Sequence, residues 1–327
     1  MQNIIKTYLD EKYPGCLPAP LAGDASTRAY FRLSREGAAP LVLCYDPSMA
    51  GKTADSYPFA RVRYLYEEYG IPAALIVDED YTRGIIVLED LGGTHLADIA
   101  AAGSEDETLR YYRESVDLLV KIQQIPASRI SSPVCFDTAK LMYEFDFFYE
   151  HALKSFFKAD MNSPAAAELR SLFIQIASKL DRPEYFITAH RDYHSRNLMV
   201  KNKGLRVIDF QDSMPGLPQY DLVSLLRDSY TELSPVMFNS LKNYYYEESK
   251  DRRIHSMRRD EFEYYFELAG LQRNVKALGT FAYQSAVRGK IRYEENIPLT
   301  FSYIKKFSDS INELRRAVEL LDELGLP

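Results

Sequence analysis

The apolar positions change period along the chain, and the changes mark out its elements. Residues 1–13 read as an amphipathic helix closed by Pro14–Gly15. From Leu21 to Tyr45 the period is that of strands. Ala29–Leu33 and Leu41–Tyr45 are the clearest, joined by a turn at Glu36–Gly37. Helical spacing returns over Pro58–Tyr69 and stops at Gly70, with Pro72 just beyond. Ala74–Val77 and Gly84–Leu88 then predict a hairpin turning at Asp78–Glu79–Asp80, and Gly92–Gly93 mark a linker. From about residue 105 onward the pattern is mostly helical. It is broken by one hairpin, Asn197–Val200 and Leu205–Ile208, around Lys201–Asn202–Lys203–Gly204. The order predicts an α+β chain of two parts: a small antiparallel β lobe over 1–92 and a larger, mostly helical lobe over 93–327.

That late hairpin carries the strongest chemical signal. The stretch HRDYHSRNLMVKNKGLRVIDFQD, His190 to Asp212, sets Asp192 five residues before Asn197 and puts Asp209 after the second strand. Phosphoryl transfer needs a carboxylate to orient and deprotonate a hydroxyl, and two oxygen ligands to hold Mg²⁺ against nucleotide phosphates. Asp192 suits the first role; Asn197 and Asp209 suit the second. The hairpin is expected to return Asp209 toward Asn197, beside the loop holding Asp192. A β lobe, a hinge and a helical lobe with a loop-borne acidic site make a kinase-like order.

Composition narrows the class. The chain has 327 residues and a formal charge of −7, which argues against a nucleic-acid partner held by a basic surface. Cys16, Cys44 and Cys135 are scattered, without a C-x-x-C spacing, and fit a reducing cytoplasm rather than a disulfide framework or zinc site. No signal-peptide core and no apolar run of membrane-spanning length is present. The expectation is a cytoplasmic protein with no membrane, nucleic-acid or obligate protein partner. The 25 Tyr with no Trp read chiefly as packing residues.

Other motifs take their meaning from the first. Gly23–Asp24–Ala25–Ser26–Thr27–Arg28 precedes a strand; its small residues let backbone N–H groups approach phosphates, and Ser26, Thr27 and Arg28 add donors. Asp46–Thr53 ends in Gly-Lys-Thr like a Walker A loop. Asp46 replaces the first glycine, however, and Pro47 removes a donor, so a loop with Lys52 reaching toward phosphate is the better reading. Glu89–Asp90–Leu91 lies at the lobe junction, where backbone groups read adenine. Asp221 opens a helix and is expected to brace the catalytic loop, with His190 also structural; Arg227 and Asp228 read as a structural ion pair. Arg196, Gln211 and Asp212 are candidates for acceptor contacts.

HRDYHSRNLMV followed by VIDFQD resembles the aminoglycoside phosphotransferase and choline kinase superfamily, with its H-x-D-x-x-x-x-N and I-D-F/W pattern. The likeness extends over most of the chain, from GDASTRAYFRL through VLEDLG to PQYDLVSLLRDSY. It implies the bilobal protein-kinase-like fold, ATP as donor, Mg²⁺, and roles carried over by position. Asp192 is similar to the catalytic base, Asn197 and Asp209 to the metal ligands, Asp221 to the brace, and the backbone of Glu89 and Leu91 to the adenine hinge. GDASTRAYFR and IDFQDSMPGLPQYDLVSLLRD look most like the bacterial cell-wall amino-sugar kinases, which phosphorylate the anomeric hydroxyl of N-acetylmuramic acid and N-acetylglucosamine. One departure stands out. The strand LVLCYDP lacks the lysine that many superfamily members place there, leaving Arg28, Arg32 and Lys52 as candidate phosphate partners. The alternatives are a kinase for a cationic acceptor such as an aminoglycoside or choline, and a nucleotide-binding pseudokinase.

Overall fold

The computed structural model describes residues 1–21, 28–309 and 311–326. The chain divides into two compact units, one of Met1–Thr94 and Met199–Asp212, the other of His95–Leu198 and Ser213–Pro327. In chain order the elements begin with α1 (Gln2–Lys12), β1 (Leu17–Leu21), β2 (Ala29–Ser34), β3 (Leu41–Tyr45), α2 (Pro58–Glu68), β4 (Ile76–Asp80) and β5 (Ile85–Glu89). Next come α3 (Leu96–Ala102), α4 (Glu105–Gln123), α5 (Thr138–Phe148), α6 (Pro164–Leu180), β6 (Ile187–Ala189), β7 (Leu198–Lys201), β8 (Gly204–Val207) and β9 (Met214–Gly216). The chain closes with α7 (Gln219–Leu226), α8 (Pro235–Asp251), α9 (Arg259–Ala286), α10 (Ile297–Lys305) and α11 (Asn312–Glu323).

In the first unit five antiparallel strands lie in the order β1-β2-β3-β5-β4. Alternation along β5 explains its place inside the sheet. Ile85 and Val87 pack with Ile5, Tyr8 and Leu9 of α1, while Ile86 and Leu88 face Tyr57, Ala60, Ala74 and Met199. A strand buried on both faces needs cover on both. The structure adds β1, whose Leu-Pro-Ala-Pro-Leu sequence pairs with β2 from the sheet edge, where proline can be tolerated. It also carries β4 on through Asp80, moving the predicted turn to residues 81–84. The β7–β8 hairpin turns through Asn202 and Lys203, both with positive φ (53° and 62°), as a two-residue hairpin turn requires. Val207 donates to the carbonyl of Pro72, and Val200 to that of Thr94.

The second unit is helical, as the pattern predicts, with one unpredicted feature: β6 pairs with β9 in a small antiparallel sheet. Three-residue strands leave too little alternation to detect. α5 runs on into a π-helical stretch, Tyr149–Phe156. α9 is the central helix, with most residues from Phe262 to Ser285 buried. Its Gly279 allows close approach, because a Cβ there would lie 2.9 Å from the Phe148 Cα.

Candidate active site

The loop from His190 to Asn197 joins β6 to β7 and is held at both ends by buried carboxylates. Asp221, in the first turn of α7, accepts the backbone N–H of His190 at 2.6 Å and of Arg191 at 2.9 Å. Asp228, just past the end of α7, accepts the N–H of Ser195 at 2.8 Å. Burial pushes both carboxyls above their ordinary range, against the hydrogen bonds they accept. Between these anchors Arg191 has φ +82°, a left-handed conformation costing a non-glycine residue about 1 kcal/mol or more, which the paired bonds offset. Tyr193 is fully buried and donates to the carbonyl of Ser115 at 2.7 Å. The expected Arg227–Asp228 ion pair does not form: Arg227 pairs with Glu267 at 2.9 Å, and Asp228 serves the loop.

Asp192 sits within this frame, its side chain 34% exposed. Asn197 Nδ2 donates to the Asp192 carbonyl at 2.9 Å, tying the two motif residues directly and giving the Asn197 carbonyl oxygen the opposite direction. The carboxylate meets two cations from α9: Lys276 Nζ lies 2.8 Å from Oδ1 and an Arg273 nitrogen 4.0 Å from it. Burial raises the pKa of Asp192, but these charges outweigh it and hold the group well below the usual range. Arg273 is fixed by its Nε bond to Ser224 at 2.7 Å. His194 stays neutral, pushed down to about 3 by burial and by the Arg273 charge. Its ring lies 5.1 Å from that of Tyr230, over which the Arg196 guanidinium stacks at 4.0 Å.

The first unit carries the remaining residues. Asp209 follows β8 with φ +61°, exposed, with Oδ1 accepting from Gln211 Nε2 at 2.7 Å. Its neighbour Phe210 is buried between Phe59 and Tyr66, with centroids 5.1 and 5.0 Å away, which fixes the turn. Asp212 is exposed. At the end of β5 Glu89 bonds Lys201 at 2.6 Å, and Lys201 also donates to the Asp90 carbonyl at 2.7 Å. Arg32 grips both carboxylate oxygens of Asp90, at 2.5 and 3.2 Å, and the carbonyl of Gly92. A cleft of about 690 Å³ opens here, lined in part by Arg32, Asp90, Leu91, Gly92 and Lys201. Arg28 pairs with Asp46 at 3.1 Å. Gly23, Ser26 and Thr27 lie outside the described residues.

Sequence reasoning missed Lys276 and Arg273. The sequence offers only their spacing: two cations three residues apart share one face of a helix, among the polar Gln272 and Asn274. Missing too was the second anchor, Asp228. As for a metal, Asn197 of the second unit and Asp209 of the first each carry an oxygen donor of the hard kind that suits Mg²⁺.

Fold and motif define a phosphotransferase of the protein-kinase-like class. Residues 19–255 match the model of the phosphotransferase enzyme family, and the chain belongs to that family. Among curated relatives it is 30% identical over 308 residues to the N-acetylmuramate/N-acetylglucosamine kinase of Neisseria meningitidis serogroup B, covering 93% of this chain and 89% of that one. It is 27% identical over 307 residues to the kinase of the same name from Pseudomonas aeruginosa, covering 93% and 88%. Among solved structures it resembles a choline kinase from Streptococcus pneumoniae (TM-score 0.60, 14% identity, 93% and 99% covered). An ADP-bound aminoglycoside phosphotransferase is also similar (TM-score 0.58, 15% identity, 92% and 97% covered). These last two likenesses concern the fold alone. No helix among the described residues is long and apolar enough to cross a membrane.

Proposed function

We propose that this protein transfers the γ-phosphoryl group of ATP to the anomeric hydroxyl of N-acetylmuramic acid or N-acetylglucosamine, giving a sugar 1-phosphate for cell-wall recycling. The observation that carries this choice of acceptor is the charge around Asp192. With Lys276 at 2.8 Å and Arg273 at 4.0 Å, the charge of the general base is already countered by two cations and offers little to a cationic acceptor. Such a site disfavours an aminoglycoside or choline and accepts a neutral or anionic sugar. The names of the curated relatives support the same acceptors.

Asp192 accepts a hydrogen bond from the sugar hydroxyl and takes its proton as the bond to phosphorus forms and the bond from the γ-phosphorus to the departing ADP breaks. An anomeric hydroxyl is more acidic than an ordinary alcohol, and the loose transition state of phosphoryl transfer asks more for position than for base strength. A carboxylate held ionised by two cations therefore suffices. Asn197 and Asp209 would hold Mg²⁺, which when bound neutralises charge on the phosphates. The hinge backbone at Glu89 and Leu91 would receive the base, and Arg196, Gln211 and Asp212 would contact the acceptor.

The test is phosphate transfer from Mg·ATP to each sugar, with the product position assigned by ³¹P–¹H NMR. A 1-phosphate is expected, and Asp192→Asn should abolish turnover while ATP still binds. Transfer to choline or kanamycin in preference to both sugars would overturn the reading.

A further inference from the structure

β3 lacks a lysine, yet the residue that follows it anchors a buried ion pair. Asp46 is 3% exposed, and three donors converge on its carboxylate: Arg28 Nε at 3.1 Å, the Tyr57 hydroxyl at 2.7 Å and the Ser48 backbone N–H at 2.9 Å. Register explains the meeting. Ala29 of β2 pairs with Tyr45 of β3, so Arg28 and Asp46, one step outward on each strand, come side by side. Tyr57, the residue before α2, is buried and brings in the helix. Behind Asp46 the backbone is closed: its N–H donates to Gly84 at 2.8 Å, and a Cβ on Gly84 would meet the Asp46 carbonyl oxygen at 2.5 Å.

Burying a carboxylate is costly unless its oxygens are paired, and here Oδ2 accepts two bonds and Oδ1 one. The arginine so fixed keeps 17% of its side chain exposed. Its guanidinium lies 5.9 Å from the Phe59 ring, Phe59 stacks on Phe210, and Phe210 adjoins Asp209. A fixed positive charge is thus linked by packing to the expected metal-side carboxylate, within one unit of the fold. We propose that Asp46 and Tyr57 are positioning residues that aim Arg28 at the phosphates of the bound nucleotide, replacing the missing strand lysine with a cation tied to β2, β3 and α2 together. The inference rests on the phosphotransferase reading but not on the identity of the acceptor.

The experiment measures binding of Mg·ATP and of adenosine to the full chain by calorimetry, in wild type and in Arg28→Gln, Asp46→Asn, Tyr57→Phe and Arg28→Gln/Asp46→Asn. Loss of one charge-assisted bond predicts about a tenfold weaker affinity for Mg·ATP in Asp46→Asn and Tyr57→Phe, and a larger loss in Arg28→Gln. Adenosine, which has no phosphate, should bind all variants within about twofold of wild type. Asp46→Asn should add little once Arg28 is gone, since it acts through Arg28. Tyr57→Phe keeps the buried ring, which guards against a folding defect. Parallel loss of both ligands, undiminished Mg·ATP affinity in Asp46→Asn and Tyr57→Phe, or additive losses in the double variant would each overturn the proposal. No acceptor is used, so a wrong sugar assignment leaves the result standing. Wild-type protein that binds no Mg·ATP would sink the phosphotransferase reading and the proposal with it.

Discussion

Replacing Lys276 by methionine separates two ways in which a cation can serve Asp192. At 2.8 Å two unit charges attract by about 1.5 kcal/mol in a water-like medium and about 6 kcal/mol at an effective dielectric near 20. Asp192 is one-third exposed, so the screened end of that range governs, and the hydrogen bond lost is worth about 1.5–2 kcal/mol. Arg273 remains 4.0 Å away, and the carboxyl starts far below its ordinary pKa, so it stays ionised at neutral pH. The carboxylate would become a slightly stronger base but a less fixed one. Because the transition state is loose, orientation should win, and kcat should fall by about 10- to 30-fold with the KM for ATP unchanged. Steady-state kinetics with N-acetylglucosamine at pH 7.5 and pH 9 provide the assay, and Lys276→Arg should recover part of the loss. A kcat within twofold of wild type would refute the reasoning. So would full recovery at pH 9, which would mean that Lys276 acts only by keeping Asp192 ionised.

Two further outcomes follow from the same unit. Asp221→Ala leaves the N–H groups of His190 and Arg191 without their acceptor, so stability should drop by about 2–4 kcal/mol and turnover with it; an unchanged urea midpoint would count against the brace. His255 is buried and neutral, with Nδ1 accepting from Met257 N–H and Nε2 facing Ser249 Oγ, and burial lowers its pKa from 6.5 to about 4. Between those values the unfolded chain binds a proton that the native state does not. Stability should therefore be full above pH 6.5 and fall toward pH 4, by up to about 3 kcal/mol from this group. His194 acts in the same direction, so His255→Gln should flatten the fall in urea unfolding rather than remove it; an equally steep fall in that variant would exclude His255 as a source.

The sequence disclosed those features whose causes are local. β2 and β3 appear as the alternation predicts, and the Asp192–Asn197 spacing is visible because one short loop contains it. β1 was hidden by its two prolines, which argue against a strand unless it lies at an edge. β4 was cut short because its final acids, Glu79 and Asp80, look like turn residues, although an edge strand can expose them. Lys276 and Arg273 lie more than eighty positions from Asp192. Their partnership depends on α9 packing against α7, which no local pattern encodes.

The two carboxylates that anchor the His190–Asn197 loop have a consequence for its length. One stands in the first turn of α7 and the other just past the helix end, so the helix sets how far apart the loop's entry and exit are pinned. A residue inserted or deleted between His190 and Ser195 would have to release one anchor or distort the helix that carries both. The count of residues from His190 to Ser195 is then a mechanical property of α7.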